Sequence, residues 1–157
     1  MTIPKLTRVL QILTAMMAIL YFIVGITKIL QYNQLFEVSI WQAPLQYQLY
    51  AGVYIVRLLI LVIVFVLTFI LFNDIYKKFD FSGGPRMRIL YIGLGVILFS
   101  GTKFLIAFLH VDWEYVKVLD IRELSDTLLL LLGIEAIIFG TIYDKSRKLK
   151  EENDLTI

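Results

Sequence analysis

Six ionisable side chains lie inside or at the ends of long apolar segments, where a charge is costly. They are Lys28, Arg57, Lys103, Glu123, Asp126 and Glu135. In a membrane, such residues face the interior of a helix bundle or a water-filled cavity, and they mark ligand sites and ion pathways. The chemistry they offer is charge pairing, anion binding and proton transfer.

The basic members of this set all fall in the outer half of the predicted bundle. A helix rises about 1.5 Å per residue, which puts Lys28 near the outer surface and Arg57 and Lys103 roughly 10 Å below it. Tyr50 and Tyr54 share a helix face with Arg57 at i, i+4 and i+7 spacing. We therefore predict an outward-opening polar vestibule with aromatic walls. Its predicted lining is Lys28, Arg57, Lys103, Glu123, Asp126, Tyr50 and Tyr54.

Two roles stay open for Arg57 and Lys103. Paired burial is the general rule for charges in a membrane, so each is a candidate for a structural ion pair with Asp126 or Glu123. Otherwise the positive cluster binds an anion, such as a carboxylate or a lipid headgroup. For the shallow Lys28 the alternative is snorkelling to the outer interface. A stripe of small and polar residues that permits close packing would turn Lys103 inward. It comprises Ser100, Lys103, Ala107 and His110.

Glu135 does not fit the same cluster. It follows Asp126 by nine residues, which is about 900° of helical rotation, so the two carboxyl groups lie on opposite faces of one helix. We predict Glu135 to be a mid-membrane carboxylate that serves another gap between helices or a second protomer.

The residue types argue against catalysis. The chain has no cysteine and one histidine, His110, which removes thiol nucleophiles, disulfides and a histidine metal cluster within one chain. The serines lack a nearby histidine base, apart from a remote pairing of Ser100 with His110. We expect a non-enzymatic protein with no cofactor and no metal site.

The elements that must position these residues are long apolar helices. The 157 residues are 59% hydrophobic and 18% charged, with a mean hydropathy of +0.81, whereas soluble domains are about 45–50% apolar and about 25% charged. Each of four apolar runs reaches the roughly 20 residues that a helix needs to cross a bilayer. The runs span residues 9–30, 50–72, 89–110 and 124–143. We predict one all-α domain over residues 1–157, a polytopic membrane protein.

Charge placement predicts the orientation of the bundle. Basic residues are dense before the first run, between the second and third, and after the fourth, but only Lys117 and Arg122 lie in the opposite connections. The positive-inside rule then places both termini in the cytoplasm. Short connections make successive spans antiparallel neighbours, hence an antiparallel four-helix transmembrane bundle. The net charge of +2 reflects this topology, so no direct nucleic-acid binding is expected.

The predicted cytoplasmic tail, residues 144–157, is basic next to the membrane and then acidic, and its basic residues would contact anionic lipids of the inner leaflet. Its last residues resemble the closing signature of a bacterial four-span membrane family of unknown function, which ends in Glu-Asn-Asp-Leu-Thr-Val/Ile. The resemblance covers the whole chain in length and span order and is specific at the tail. The residues that carry it, after Lys150, are Glu151, Glu152, Asn153, Asp154, Leu155, Thr156 and Ile157. It implies the bacterial cytoplasmic membrane and a small helix-turn-helix regulator of the Cro or xenobiotic-response type as a partner.

Three functional hypotheses follow. In the first, the protein is a membrane sensor or regulatory partner, whose tail contacts such a regulator and whose vestibule senses an envelope signal. In the second, it is a small transporter or immunity-type protein that uses Arg57, Lys103 and Glu135 to move anions or protons. Because four spans enclose a narrow pathway, this second hypothesis favours a homo-oligomer. In the third, it is an accessory subunit of a larger membrane complex.

Overall fold

The computed structural model describes residues 3–36, 39–77, 84–129, 131–132, 134–135 and 139. These residues form α-helices and one short 3₁₀ helix, and none of them is in a β-strand, as the composition predicts. The helices are α1 (Ile3–Gln34), α2 (Leu45–Lys77), α3 (Gly84–Ala107), α4 (Trp113–Val118) and α5 (121–129), with the 3₁₀ helix at Ile40–Gln42. Residues 131–132, 134–135 and 139 are also helical.

Among the residues that the structure describes, three helices are long and apolar enough to cross a membrane, which is consistent with the predicted multi-pass protein. The apolar stretches are Arg8–Gln34, Leu45–Asp74 and Met87–Ala107, with mean hydropathies of 2.3, 3.2 and 2.0. They correspond to the first three predicted spans. The third ends at Ala107, three residues before the predicted boundary, because the chain turns at Phe108. The predicted fourth span, 124–143, coincides with α5 at its start and lies largely outside the described residues.

Proline and glycine positions set where two of these helices begin. Pro44 immediately precedes α2. At the start of a helix, a residue without a backbone N–H costs the least, because the N–H group would have no partner within the helix. Pro85 falls in the first turn of α3, where its fixed φ suits a helix start. α3 itself begins at Gly84, one residue before this proline.

The core surrounds α2. This helix packs against both α1 and α3, and its buried face includes Tyr54, Leu61, Phe65 and Phe72. In contrast, most large side chains of α1 and α3 that point away from α2 are exposed. Hydrocarbon solvates such side chains as well as a protein core does, so an apolar exterior is expected for a bundle in a bilayer.

Two glycines allow the helices to approach closely. A Cβ atom added to Gly25 of α1 would lie 2.8 Å from Leu58 Cδ1, and one added to Gly95 of α3 would lie 2.9 Å from Val64 Cγ2. Small residues have this role at helix contacts in membranes, where van der Waals packing replaces the hydrophobic effect as the driving force.

Gly25→Ala is expected to lower the free energy of unfolding by about 1–3 kcal/mol, the usual range for overpacking a helix contact. Gly101→Ala is the matched control, since a Cβ there meets no atom within 4 Å. Unfolding in mixed micelles with an increasing fraction of a denaturing detergent measures the free energy of unfolding of both variants. Adding Leu58→Ala should reduce the effect of Gly25→Ala. Equal effects at Gly25 and Gly101 would contradict the close contact.

Candidate functional site

The connections that follow α1 and α3, with the adjoining helix ends, form an aromatic cap, which we define as Tyr32, Phe36, Tyr47 and Tyr115. Tyr115 stacks on Phe36 with ring centroids 5.0 Å apart and lies 4.6 Å from the ring of Tyr47. Tyr47 donates to Asp112 Oδ2 at 2.5 Å, and Tyr32 donates to the Tyr47 carbonyl at 3.2 Å. The cap therefore fastens the connection after α1 to the segment around α4.

Arg57 lies below this cap in the protein interior. Its side chain is 3% exposed, and Nη2 donates to Ser125 Oγ at 2.9 Å. The guanidinium carbon is 4.1 Å from the centroid of the Phe99 ring, a cation–π contact. Nε and Nη1 are buried and have no hydrogen-bond partner among the described residues. The guanidinium is thus held by a neutral hydroxyl and a ring, and none of the described carboxylates pairs with it.

Tyr50 and Tyr54 are buried on the same face of α2 as Arg57, as their spacing predicts. Tyr50 donates to the carbonyl of Leu119 at 3.0 Å, which ties α2 to the chain just before α5. Aromatic side chains therefore share the buried face of α2 with Arg57. Phe99, which sequence reasoning missed, contacts the guanidinium from α3.

Lys28 and Glu123 form an ion pair between α1 and α5. Both side chains are partly exposed. One turn further along α5 and two turns back along α1, the Thr127 and Tyr21 hydroxyl groups are hydrogen-bonded with their oxygens 2.5 Å apart. Glu123 is therefore engaged by Lys28, which the sequence suggested as a snorkelling residue, and not by Arg57.

Lys103 does not join the cluster. It is exposed, as are the other members of the predicted small and polar stripe, Ser100, Ala107 and His110. The inward orientation expected for that stripe is therefore corrected. The reason is helical phase: α3 turns Ile92 and Phe99 into the core, and Phe99 is one residue, or about 100°, away from Ser100.

An open cavity of about 530 Å³ lies between α1 and α5. Its lining residues are Met17, Tyr21, Asp120, Arg122, Glu123, Asp126 and Thr127. Glu123 and Asp126 of the predicted vestibule line it, but Arg57 and Lys103 do not. The single polar vestibule predicted from sequence is thus two features, a cavity lined by three carboxylates and one arginine among other residues, and a separate buried arginine.

Glu135 points away from that cavity, as the nine-residue spacing from Asp126 predicts. Its side chain is 5% exposed and hydrogen-bonds to Thr68 on α2, which is itself fully buried. Thr68 Oγ1 also lies 2.8 Å from the carbonyl oxygen of Val64, one helical turn earlier. Sequence reasoning missed Thr68, because a threonine in an apolar helix carries no signal of a partner.

The described residues contain no group of three or more His, Cys, Asp or Glu side chains able to hold a metal ion. The predicted partner-binding tail, Glu151–Ile157, lies outside the described residues, so its interaction stays a prediction.

Comparison with known proteins adds no assignment to this geometry. No protein-family model matches the chain, and no curated protein or solved structure is significantly similar to it.

Proposed function

We propose that this chain is a non-enzymatic protein of the bacterial cytoplasmic membrane that binds a small anion between its helices and acts as a membrane sensor or regulatory partner. The single observation that supports ligand binding is Arg57, a buried guanidinium with two unpartnered nitrogens and no carboxylate beside it among the described residues. Buried charges in membrane proteins are normally paired. A cation without a pair supplies attraction for an anion that arrives from outside.

The proposal includes an antiparallel four-span bundle. Contacts of α2 with the chain from Leu119 onward follow rising residue numbers, from Tyr50 with Leu119 to Arg57 with Ser125. This order favours a fourth span parallel to α2. Contacts with α1 run in the opposite order, since Lys28 pairs with Glu123 and Tyr21 with Thr127. Both orders agree with helices that run alternately up and down.

Cysteine scanning tests the orientation of the bundle. Each introduced cysteine is the only thiol that a maleimide can label in the chain, because the natural sequence has no cysteine. Ser39→Cys is expected to react with a membrane-impermeant maleimide added outside intact cells. Ser146→Cys should react only after the cells are opened. This result follows from the surplus of Lys and Arg in the segments assigned to the cytoplasm. The reverse labelling pattern would contradict cytoplasmic termini.

Anion binding is tested by thermal unfolding in detergent with acetate or inorganic phosphate, at constant ionic strength. A ligand that binds only the folded state raises the unfolding temperature with its concentration. We expect one of these anions to stabilise the natural protein and to lose this effect in Arg57→Met. Lys103→Met, which removes an exposed cation, should keep the response. If the anion stabilised Arg57→Met and Lys103→Met equally, the stabilisation would be a non-specific salt effect and not binding at Arg57.

The regulatory part of the proposal is supported by the tail sequence and its family resemblance. Deleting residues 152–157 should abolish co-purification with a helix-turn-helix regulator encoded beside the gene. Unchanged capture would remove the tail from that interaction.

A second candidate function, a small transporter or immunity-type protein, is favoured by buried polar groups at two depths. Arg57 with Ser125 and Thr68 with Glu135 lie along the same side of α2, eleven residues or about 16 Å apart. Flux of anions or protons into vesicles containing the purified protein should then depend on Arg57 and Glu135. Isolation as part of a larger membrane complex would instead favour an accessory subunit.

A further inference from the structure

The hydroxyl group of Thr68 faces two oxygen atoms but carries one hydrogen. It lies 2.8 Å from the Val64 carbonyl oxygen and within hydrogen-bond distance of Glu135 Oε1. If Thr68 donates to Val64, its contact with Glu135 needs a second hydrogen, which only the carboxyl group can supply. If it donates to Glu135, the carboxyl group is satisfied by this single neutral donor.

No cation is bonded to this carboxyl group among the described residues. On α2, Arg57 is eleven residues from Thr68, about 16 Å along the axis. On α3, Arg88 pairs with Asp74, which lies six residues beyond Thr68. On α1, Lys28 is engaged by Glu123 near the other end of the bundle.

Lys103 lies on the exposed side of α3. A carboxylate with one neutral donor in apolar surroundings is strongly disfavoured, and such groups neutralise by taking up a proton.

We infer that Glu135 holds a proton inside the membrane and donates it to Thr68 Oγ1, so that the Glu135–Thr68 pair is a proton-binding site between α2 and the fourth predicted span. In this arrangement Glu135 donates to Thr68 and Thr68 donates to Val64, and each hydrogen has one acceptor. The ligand of the site is a proton. The inference is independent of anion binding at Arg57, because the two sites share no residue.

Infrared spectroscopy of the full-length protein in lipid vesicles at neutral pH tests this inference. A protonated carboxyl group has a carbonyl stretching band separate from that of carboxylates, and it shifts when the exchangeable hydrogen is replaced by deuterium. We expect one such band, lost in Glu135→Gln and retained in Glu123→Gln, whose carboxylate is partly exposed and ion-paired. In Thr68→Val the band should persist and move to higher frequency, because the carboxyl group loses its acceptor.

Absence of a protonated band that depends on Glu135 would overturn the inference. So would a band that Thr68→Val leaves at the same frequency, since the pair would then not exist. Thr68→Val keeps the shape and volume of the threonine side chain. It therefore provides the test even if Glu135→Gln fails to assemble.

A hydrophobic carbodiimide gives a second, chemical readout. The carboxylic acid adds across the N=C=N group, its proton moves to nitrogen, and acyl migration leaves a stable N-acylurea on the glutamate without a leaving group. Peptide mass mapping should find this adduct on Glu135, while a water-soluble carbodiimide should modify the exposed Asp126. An adduct on Asp126 with both reagents and none on Glu135 would count against a protonated Glu135.

Discussion

Arg57→Met is expected to raise the free energy of unfolding, by about 1–4 kcal/mol, the range seen when buried ionic groups are replaced with apolar ones of similar volume. The guanidinium has lost its hydration, and Nε and Nη1 gain no hydrogen bond in return among the described residues. Its partner Ser125 stays satisfied in the variant, because the serine hydroxyl also lies 3.2 Å from the Ile121 carbonyl. Methionine is unbranched and fills the space beside Phe99.

The sign of this change separates the two roles that the sequence left open. Removing one partner of a buried structural ion pair costs about 3–5 kcal/mol, because the other charge is left uncompensated. Reversible unfolding in mixed micelles measures the change, with Lys103→Met as the control for loss of a positive charge. A destabilised Arg57→Met would assign Arg57 a structural role and contradict retention of the charge for ligand binding.

Phe65→Ala is expected to have the largest destabilising effect of a single truncation, about 3–5 kcal/mol. Phe65 is 1% exposed at the centre of α2, and its ring stacks on Tyr21 of α1 with centroids 6.2 Å apart. Truncation leaves a cavity between two helices that are held by packing, and rigid neighbours close such a cavity only in part.

Phe69→Ala on the same helix is the matched control. Its ring is 36% exposed and faces outward, where lipid replaces the lost contacts. Unfolding of both variants under the conditions used for Arg57→Met should therefore give a much smaller loss for Phe69→Ala. Similar losses at the two positions would contradict the orientation of α2.

The sequence was most informative about elements whose physical cause is local. Apolar length is enough to predict membrane-crossing helices, and helical spacing correctly placed Tyr50, Tyr54 and Arg57 on one buried face. The separation of Asp126 from Glu135 likewise follows from rotation along one helix. These results need no knowledge of which helices touch.

Sequence reasoning failed where the outcome depended on packing between helices. The rotation of α3 is set by the fit of Phe99 and Gly95 against α2, so a polar stripe beginning one residue later faces outward and carries Lys103 with it. The choice of Lys28, and not Arg57, as the partner of Glu123 depends on the approach of α1 to α5. The pairing of Thr68 with Glu135 joins residues 67 positions apart, which no spacing rule connects.

The measurement that tests the central claim most directly is an NMR titration of the Arg57 Nε–H group in detergent micelles. The ¹H–¹⁵N signal is assigned by its loss in Arg57→Lys, and acetate or inorganic phosphate is added at constant ionic strength. If this guanidinium, which has no carboxylate partner among the described residues, is an anion site, the Arg57 signal moves and saturates with one of these anions, while the signal of the exposed Arg122 changes little. An Arg57 signal that stays in place with both anions would contradict the proposed function.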